Sequence, residues 1–190
     1  MSGLLIVMSG PSGVGKSTIC RELVSRQSGL KISTSMTTRP PRHGEVDGES
    51  YFFVTENEFK KRIDEGFFLE WARIYGYYYG TPYDKVKQSL EEGWNVLLEI
   101  DVQGALQVRE MFEEAVLIFV SPPSVEDLEK RIKERGTEEG GVIEERLRVA
   151  HEELKAYHRY DYMVVNGELG EVVNQVSSII VAEQCRVSRL

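Results

Sequence analysis

The stretch that most constrains this chain runs from Leu4 to Thr18 and reads LLIVMSGPSGVGKST. Leu4 to Met8 is a short apolar run and reads as a buried strand. A glycine-rich turn follows, and then residues that open a helix. Gly10-x-x-x-x-Gly15-Lys16-Ser17 between a strand and a helix is the pattern of a phosphate-binding loop. Its glycines let backbone N–H groups converge without Cβ clashes. Together with the helix N-terminus those groups make an anion cradle. The cradle comprises Gly10, Pro11, Ser12, Gly13, Val14, Gly15, Lys16, Ser17 and Thr18. In such a loop Lys16 reaches the β- and γ-phosphates of a nucleotide and the Ser17 hydroxyl sits on Mg²⁺. The alternative is a turn that binds nothing, which leaves the adjacent lysine and serine without a role.

The 190 residues carry 31 acidic and 23 basic side chains, for a net charge of −8. With no long basic run, this balance argues against general nucleic-acid binding. An acidic chain that holds polyphosphate must gather positive charge locally, so arginine clusters carry weight. Length and a hydrophobic share of 41% suit one globular domain with small inserts. Cys20 and Cys185 show neither metal nor CxxC spacing, and Cys20 reads as a packed thiol in the helix after the loop. No apolar run approaches membrane-spanning length and no secretory segment is evident. A reduced, cytoplasmic setting is the expectation.

Along the chain, a helix is expected from about Lys16 to Gln27 and a strand from Leu30 to Ser35. Pro40 and Pro41 then interrupt regular structure in a loop that carries Arg39 and Arg42. Tyr51 to Val54 reads as a strand, and Thr55-x-x-Glu58 as a capping box opening a helix that Gly66 closes. Phe67 to Ile74 reads as a strand and Gly76 to Thr81 as a tyrosine-rich turn. Pro82 starts a helix that Gly93 ends. Trp94 to Ile100 is a central parallel strand, followed by a helix from Gln103 to Phe112. Ala115 to Val120 is a further buried strand. After Pro122-Pro123 come a helix to Glu134, a mobile polar segment from Arg135 to Gly141 and a long helix from Val142 to Tyr157. A strand at Tyr162 to Val165 and a helix from Gly170 to Arg186 close the chain.

Strands alternating with helices imply an α/β fold, a P-loop NTPase-type parallel sheet with helices on both faces. Residues 1–34, 84–122 and 158–190 form that core. Residues 35–83, richer in strands and turns, read as an inserted substrate subdomain, and 123–157 as a lid region. Ligands in such sheets bind at the carboxyl ends of the strands, where Gly10, Asp101 and the Pro122 region fall.

Arg39 and Arg42 offer forks suited to bidentate phosphate binding, with hydroxyl donors nearby in sequence at Tyr51 and Tyr79. A solvated basic loop is the competing reading. Glu70, between Leu69 and Trp71, is either an exposed alternate position of its strand or a buried acceptor with a purpose; exposure is the simpler expectation. Asp101, just past a buried strand, suits a metal or substrate contact. Arg131, Arg135, Arg146 and Arg148 crowd the glycine-rich segment. One or two can swing over a transferring phosphate, and the rest pair with neighbouring glutamates. His43, His151 and His158 show no ligand spacing.

Taken together these segments resemble the guanylate kinase family over nearly the whole chain. The matching segments are Gly10–Thr18, Thr37–Gly48 (TTRPPRHGEVDG), Phe68–Ala72 (FLEWA), Tyr78–Thr81 (YYGT), Glu99–Gly104 (EIDVQG), Pro122–Ser124 and Arg135–Thr137. The first is shared by many nucleotide enzymes; the second and third, in this order and spacing, are specific. The resemblance implies transfer of the γ-phosphate of ATP to GMP, with dGMP as a further acceptor, giving ADP and GDP with Mg²⁺ in purine nucleotide metabolism. It assigns the GMP phosphate to Arg39, Arg42, Tyr51 and Tyr79, and the guanine to Ser35, Glu70, Thr81 and Asp101. Lys16 and Ser17 match the ATP–Mg²⁺ loop, Arg135 and Arg146 the lid arginines, and Asn166 a position near the adenine. No obligate protein partner is implied. Glu99 departs from the aspartate that phosphate-loop proteins often place at that strand end, by one methylene. Guanine presents donors at N1 and N2 that a carboxylate accepts, whereas adenine presents an acceptor at N1. Two other classes compete: a non-catalytic guanylate-kinase-like module that binds phosphopeptides, and a kinase for another nucleotide.

Overall fold

The computed structural model describes residues 3–135 and 140–189, with the side chains of residues 135 and 140–142 left aside. The core is a sheet of five strands, all parallel, in the order β2 (Leu30–Ile32), β7 (Asn95–Glu99), β1 (Leu5–Ser9), β8 (Val116–Ser121), β9 (Tyr162–Val165). The order reverses on either side of β1, so the crevice at its carboxyl end is the natural ligand position.

The apolar runs are continuous because both faces of the sheet are covered. Leu4, Ile6 and Met8 point to one face and pack with α1 (Lys16–Arg26) and α7 (Leu169–Gln184) through Ile19, Leu23, Val173 and Val176. Leu5 and Val7 point to the other, against Val86 of α3 (Tyr83–Glu91) and Ala105 and Val108 of α4 (Val102–Met111). α5 (Val125–Arg135) and α6 (Gly140–Leu154) flank the first face through Leu128, Ile132 and Ala150. A 3-10 turn, Lys155–Arg159, ends this stretch.

A second, smaller sheet has the order β4 (Phe52–Phe53), β3 (Met36–Thr37), β6 (Tyr77–Pro82), β5 (Phe68–Ile74). Together with α2 (Glu56–Asp64) it encloses its own apolar cluster of Met36, Phe59 and Phe68, with the two phenyl rings stacked at 4.4 Å. Thr55 caps α2 by accepting the Glu58 N–H at 3.2 Å. This sheet is tied to the core at one edge. Gln107 of α4 exchanges two hydrogen bonds with the Trp71 backbone, at 3.2 and 2.8 Å, and so occupies the free edge of β5.

Three expectations from sequence need correction. Tyr77 to Pro82 is strand β6, not turn; only Tyr75 and Gly76 turn the chain between β5 and β6. Both have positive φ, 49° and 86°, the geometry of a two-residue hairpin whose twist matches its strands. α6 begins at Gly140, two residues ahead of the expected start, and its last turn tightens into the 3-10 turn. The third correction, the burial of Glu70, belongs to the site. The expected mobile segment lies largely outside the described residues.

Candidate active site

The glycine-rich loop leaves β1 at Gly10, whose φ is 142° and where a Cβ would stand 2.3 Å from the Val120 carbonyl oxygen. It enters α1 through Gly15 at φ 101°, with no side-chain cap on the helix. The first N–H groups of α1 therefore face the loop's concavity unsatisfied by any side-chain cap, which is the condition for anion binding there. From behind, the Val14 carbonyl accepts Asn166 Nδ2 at 2.6 Å and an Arg131 Nη at 3.2 Å. Lys16 Nζ folds across the loop and donates to the carbonyls of Gly10 at 2.6 Å and Pro11 at 3.2 Å. Burial lowers the Lys16 pKa, against the pull of Glu153, Glu99 and Asp101. The Ser17 hydroxyl donates to Glu99 Oε1.

Glu153 from the end of α6 reaches into this loop, where its carboxylate accepts the Ser12 N–H at 3.2 Å. Burial pushes its pKa up to about 6, with Lys16 opposing. A carboxylate of the chain itself thus satisfies one of the donors that the loop offers to phosphate. Nothing local in the sequence pointed to Glu153, which lies 141 positions from Ser12.

Across a cleft of about 780 Å³, lined by Gly10, Ser12, Lys16, Ser35, Glu70 and Asp101 among others, sits a pocket of acids and hydroxyls. Glu70 is only 3% exposed. The reason is a β-bulge: β5 gains a residue against β6 between Phe68 and Glu70, so Leu69 goes into the core and Glu70 meets Thr81. Trp71, the next residue, faces out at 37% exposure. Thr81 Oγ1 donates to Glu70 Oε1 at 2.6 Å, and Ser35 Oγ stands 3.4 Å from Thr81 Oγ1. Burial pushes the Glu70 carboxyl up to about 7, Thr81 pulling it down and Asp101 adding to the rise. Asp101 caps α4 by accepting the Gly104 N–H at 2.9 Å, and burial raises its pKa as well. A Cβ at Gly104 would lie 2.4 Å from Glu70 Oε2, so any larger residue there has to push that carboxylate aside.

Tyr51 and Tyr79 meet edge to face at 6.1 Å, and both line the cleft. Burial pushes the Tyr51 phenol to about 12, so it stays a neutral donor at physiological pH. Arg39 lies behind them at 8% exposure, 5.5 Å from the Tyr51 ring centre. Its guanidinium is held by Glu45, at 2.8 and 2.9 Å, and by the Pro40 carbonyl at 2.6 Å. Glu45 also accepts the Arg42 N–H at 2.7 Å, and its hydrogen bonds with Arg39 hold it below the usual carboxylate range. Arg42 itself is exposed. The two arginines thus stand differently: one is set in place by Glu45, the other open.

α6 closes the cleft on its remaining side through Glu145, Val149, Glu152 and Glu153. The Arg146 guanidinium stands 5.3 Å from the Tyr75 ring centre. Of the expected lid groups, the Arg135 side chain lies outside the described residues, as do Gly136 and Thr137.

A phosphate-type loop at the switch point of a parallel sheet, facing buried carboxylates across one cleft, defines the class: a P-loop α/β enzyme. The fold agrees at low identity, since a shikimate kinase from Bacteroides thetaiotaomicron superposes with TM-score 0.52 at 14% identity, covering 94% of this chain and 98% of that one. The guanylate kinase family model matches residues 2–183. Guanylate kinases from Caldanaerobacter subterraneus subsp. tengcongensis and Clostridium tetani are 54% and 50% identical, over 98% and 99% of this chain and 91% and 90% of theirs. The crystal structure of guanylate kinase from Anaplasma phagocytophilum superposes with TM-score 0.83 at 34% identity, covering 99% of this chain and 89% of that one. The chain belongs to the guanylate kinase family, enzymes that phosphorylate GMP at the expense of ATP.

Proposed function

We propose that the cleft transfers the γ-phosphoryl group of ATP to GMP, giving ADP and GDP, with the donor in the Gly10–Thr18 loop and the acceptor against the second sheet. The observation that supports this most is Glu70. It is a buried carboxylate on the cleft wall, and among the described residues no cation pairs with it. A buried acceptor of this kind is costly unless a donor arrives to meet it. Guanine N1–H and N2–H are such donors, and Asp101, Ser35 and Thr81 complete the edge. Arg39 and Arg42, with Tyr51 and Tyr79, hold the phosphate of GMP, Glu45 orienting Arg39. dGMP carries the same base edge and phosphate and is a second acceptor.

The attacking oxygen of GMP is already ionised, so the chain needs no general base. Its work is alignment in line with the γ-phosphate and neutralisation of charge by Lys16, Arg135 and Arg146. Donor binding displaces Glu153 from Ser12, and Asn166, held on the Val14 carbonyl, serves the adenine end of the donor. Ser17 and Glu99 supply an all-oxygen pair that fits Mg²⁺, a hard cation held by few protein ligands plus substrate phosphates. When bound, the ion offsets charge on the β- and γ-oxygens.

The division into a core, a GMP-binding subdomain at 35–83 and a lid at 123–157 belongs to this reading. So do a place in purine nucleotide metabolism, a cytoplasmic setting, and independence of nucleic acid, membranes and obligate protein partners. Among the described residues no helix is long and apolar enough to cross a membrane. The phosphopeptide-binding alternative is disfavoured by the loop, in which Gly10, Gly15, Lys16 and Ser17 are all present. The deciding measurement is ADP release with GMP, dGMP, AMP and UMP as acceptors. GMP should exceed AMP in kcat/KM by on the order of 10⁴, the discrimination reached by sites built to pair a substrate's polar groups. Comparable turnover of AMP would overturn the base assignment.

A further inference from the structure

Among the described residues, Tyr75 is the non-glycine residue with positive φ, at 49°. It is the first of the two turn residues joining β5 to β6, with Ile74 and Tyr77 paired on either side. A turn of this shape favours Asn-Gly, and a bulky side chain at its first position is strained. Such strain persists where the surroundings impose it, and it points to a role for the side chain held there.

The surroundings are specific. The turn is the tip by which the second sheet reaches over the cleft, and Tyr75 lines the same cavity as Ser12, Lys16 and Glu153. Its ring lies 5.3 Å from the Arg146 guanidinium of α6. Burial raises the pKa of its hydroxyl, with Ser12 and Arg146 opposing the rise. One side chain therefore lines the cleft together with Ser12 of the phosphate-binding loop and lies against Arg146 of α6, from the hairpin turn of the sheet that carries Glu70 and Tyr79.

We propose that Tyr75 is a positioning residue that sets the acceptor-side sheet in register with the donor loop and holds Arg146 over the cleft. Transfer between two bound substrates depends steeply on their relative placement. A residue that fixes the two halves against each other acts on kcat and leaves each substrate's own contacts in place. The inference rests on the GMP-kinase reading given above.

The test uses the full-length protein, wild type first, with ATP and GMP. Absence of turnover in the wild type would fail that reading, and with it this one. Given an active wild type, Tyr75→Asn relaxes the turn and removes both contacts. The expected result is a melting temperature equal to or above wild type together with a kcat at least tenfold lower, KM for ATP and GMP staying within about twofold. Tyr75→Phe keeps the ring against Arg146 and loses the hydroxyl, so its kcat should fall between the two. An unchanged kcat in Tyr75→Asn would overturn the proposal, as would a loss of kcat matched by loss of folded structure or by equal rises in both KM values. Should Tyr75→Asn fail to fold, Tyr75→Phe decides alone: a kcat equal to wild type would refute the role of the hydroxyl contact.

Discussion

Replacing Glu70 with glutamine should make this protein both more stable and a poorer kinase. The side chain keeps its size and can still accept from Thr81 through its amide oxygen. It can no longer ionise. In the wild type, burial raises the carboxyl from its ordinary value of 4.5 to about 7. At ~1.4 kcal/mol per pH unit, the folded state carries a penalty of about 3 kcal/mol once the group is charged. The folded chain holds this proton more tightly than the unfolded chain. The favourable contribution is therefore complete below pH 4.5 and is lost as pH rises through about 7. Glu70→Gln should match wild type in stability near pH 4.5 and gain up to about 3 kcal/mol at pH 8. For a chain of this size that is roughly 6–12 °C in melting temperature. The same change removes the charge-assisted acceptor for guanine, worth on the order of 1.5–3 kcal/mol. kcat/KM for GMP should fall roughly ten- to a hundredfold, and discrimination against AMP should narrow as repulsion from the carboxylate is relieved. Thermal melts at pH 4.5 and 8, with kcat/KM for both nucleotides, check both halves. Equal melting temperatures at pH 8 would refute the buried-charge argument. Unchanged GMP efficiency would move base recognition to Asp101, Ser35 and Thr81.

Lys16→Met should leave the fold intact and lower kcat by orders of magnitude, since a charge contact made in the transition state is lost; circular dichroism beside a steady-state assay checks it, and near-normal turnover would sink the loop assignment. Arg42→Lys should raise KM for GMP and leave that for ATP nearly unchanged, because an ammonium cannot present a planar two-donor fork; equal rises in both constants would mean that Arg42 does not hold the acceptor. Gly104→Ala, a change that in an open helix stabilises by about 1 kcal/mol, should here push Glu70 Oε2 aside, since the new Cβ falls 2.4 Å from it. KM for GMP should rise tenfold or more with KM for ATP unaffected, and a GMP constant equal to wild type would show that Glu70 can yield at no cost to binding.

Local sequence was enough for the alternation of strands and helices and for the phosphate loop. Strands buried on both faces must be apolar along their length, and a glycine-rich turn between such a strand and a helix has few other uses. Phe68 to Ile74 was legible as a strand for the same reason. The burial of Glu70 was not, because a bulge shifts its side chain inward, and a bulge is defined only by the partner strand. Tyr77 to Tyr79 read as a turn because tyrosines beside glycines carry no clear period; pairing with β5 makes them a strand. Glu45 could have been suspected from its six-residue spacing to Arg39, but only the folded loop turns that spacing into two hydrogen bonds. Glu153 on Ser12 and Tyr75 against Arg146 join residues 141 and 71 positions apart. Nothing in the residues near either end anticipates such a contact. Backbone propensity and side-chain periodicity are properties of neighbours in the chain, so the sequence by itself determined the elements, the loop and the kinds of groups available. Which faces meet is settled by how those elements bury their apolar surface together, and that packing alone decided which carboxylate is buried on the cleft wall, which one reaches the phosphate loop, and which tyrosine lies against Arg146.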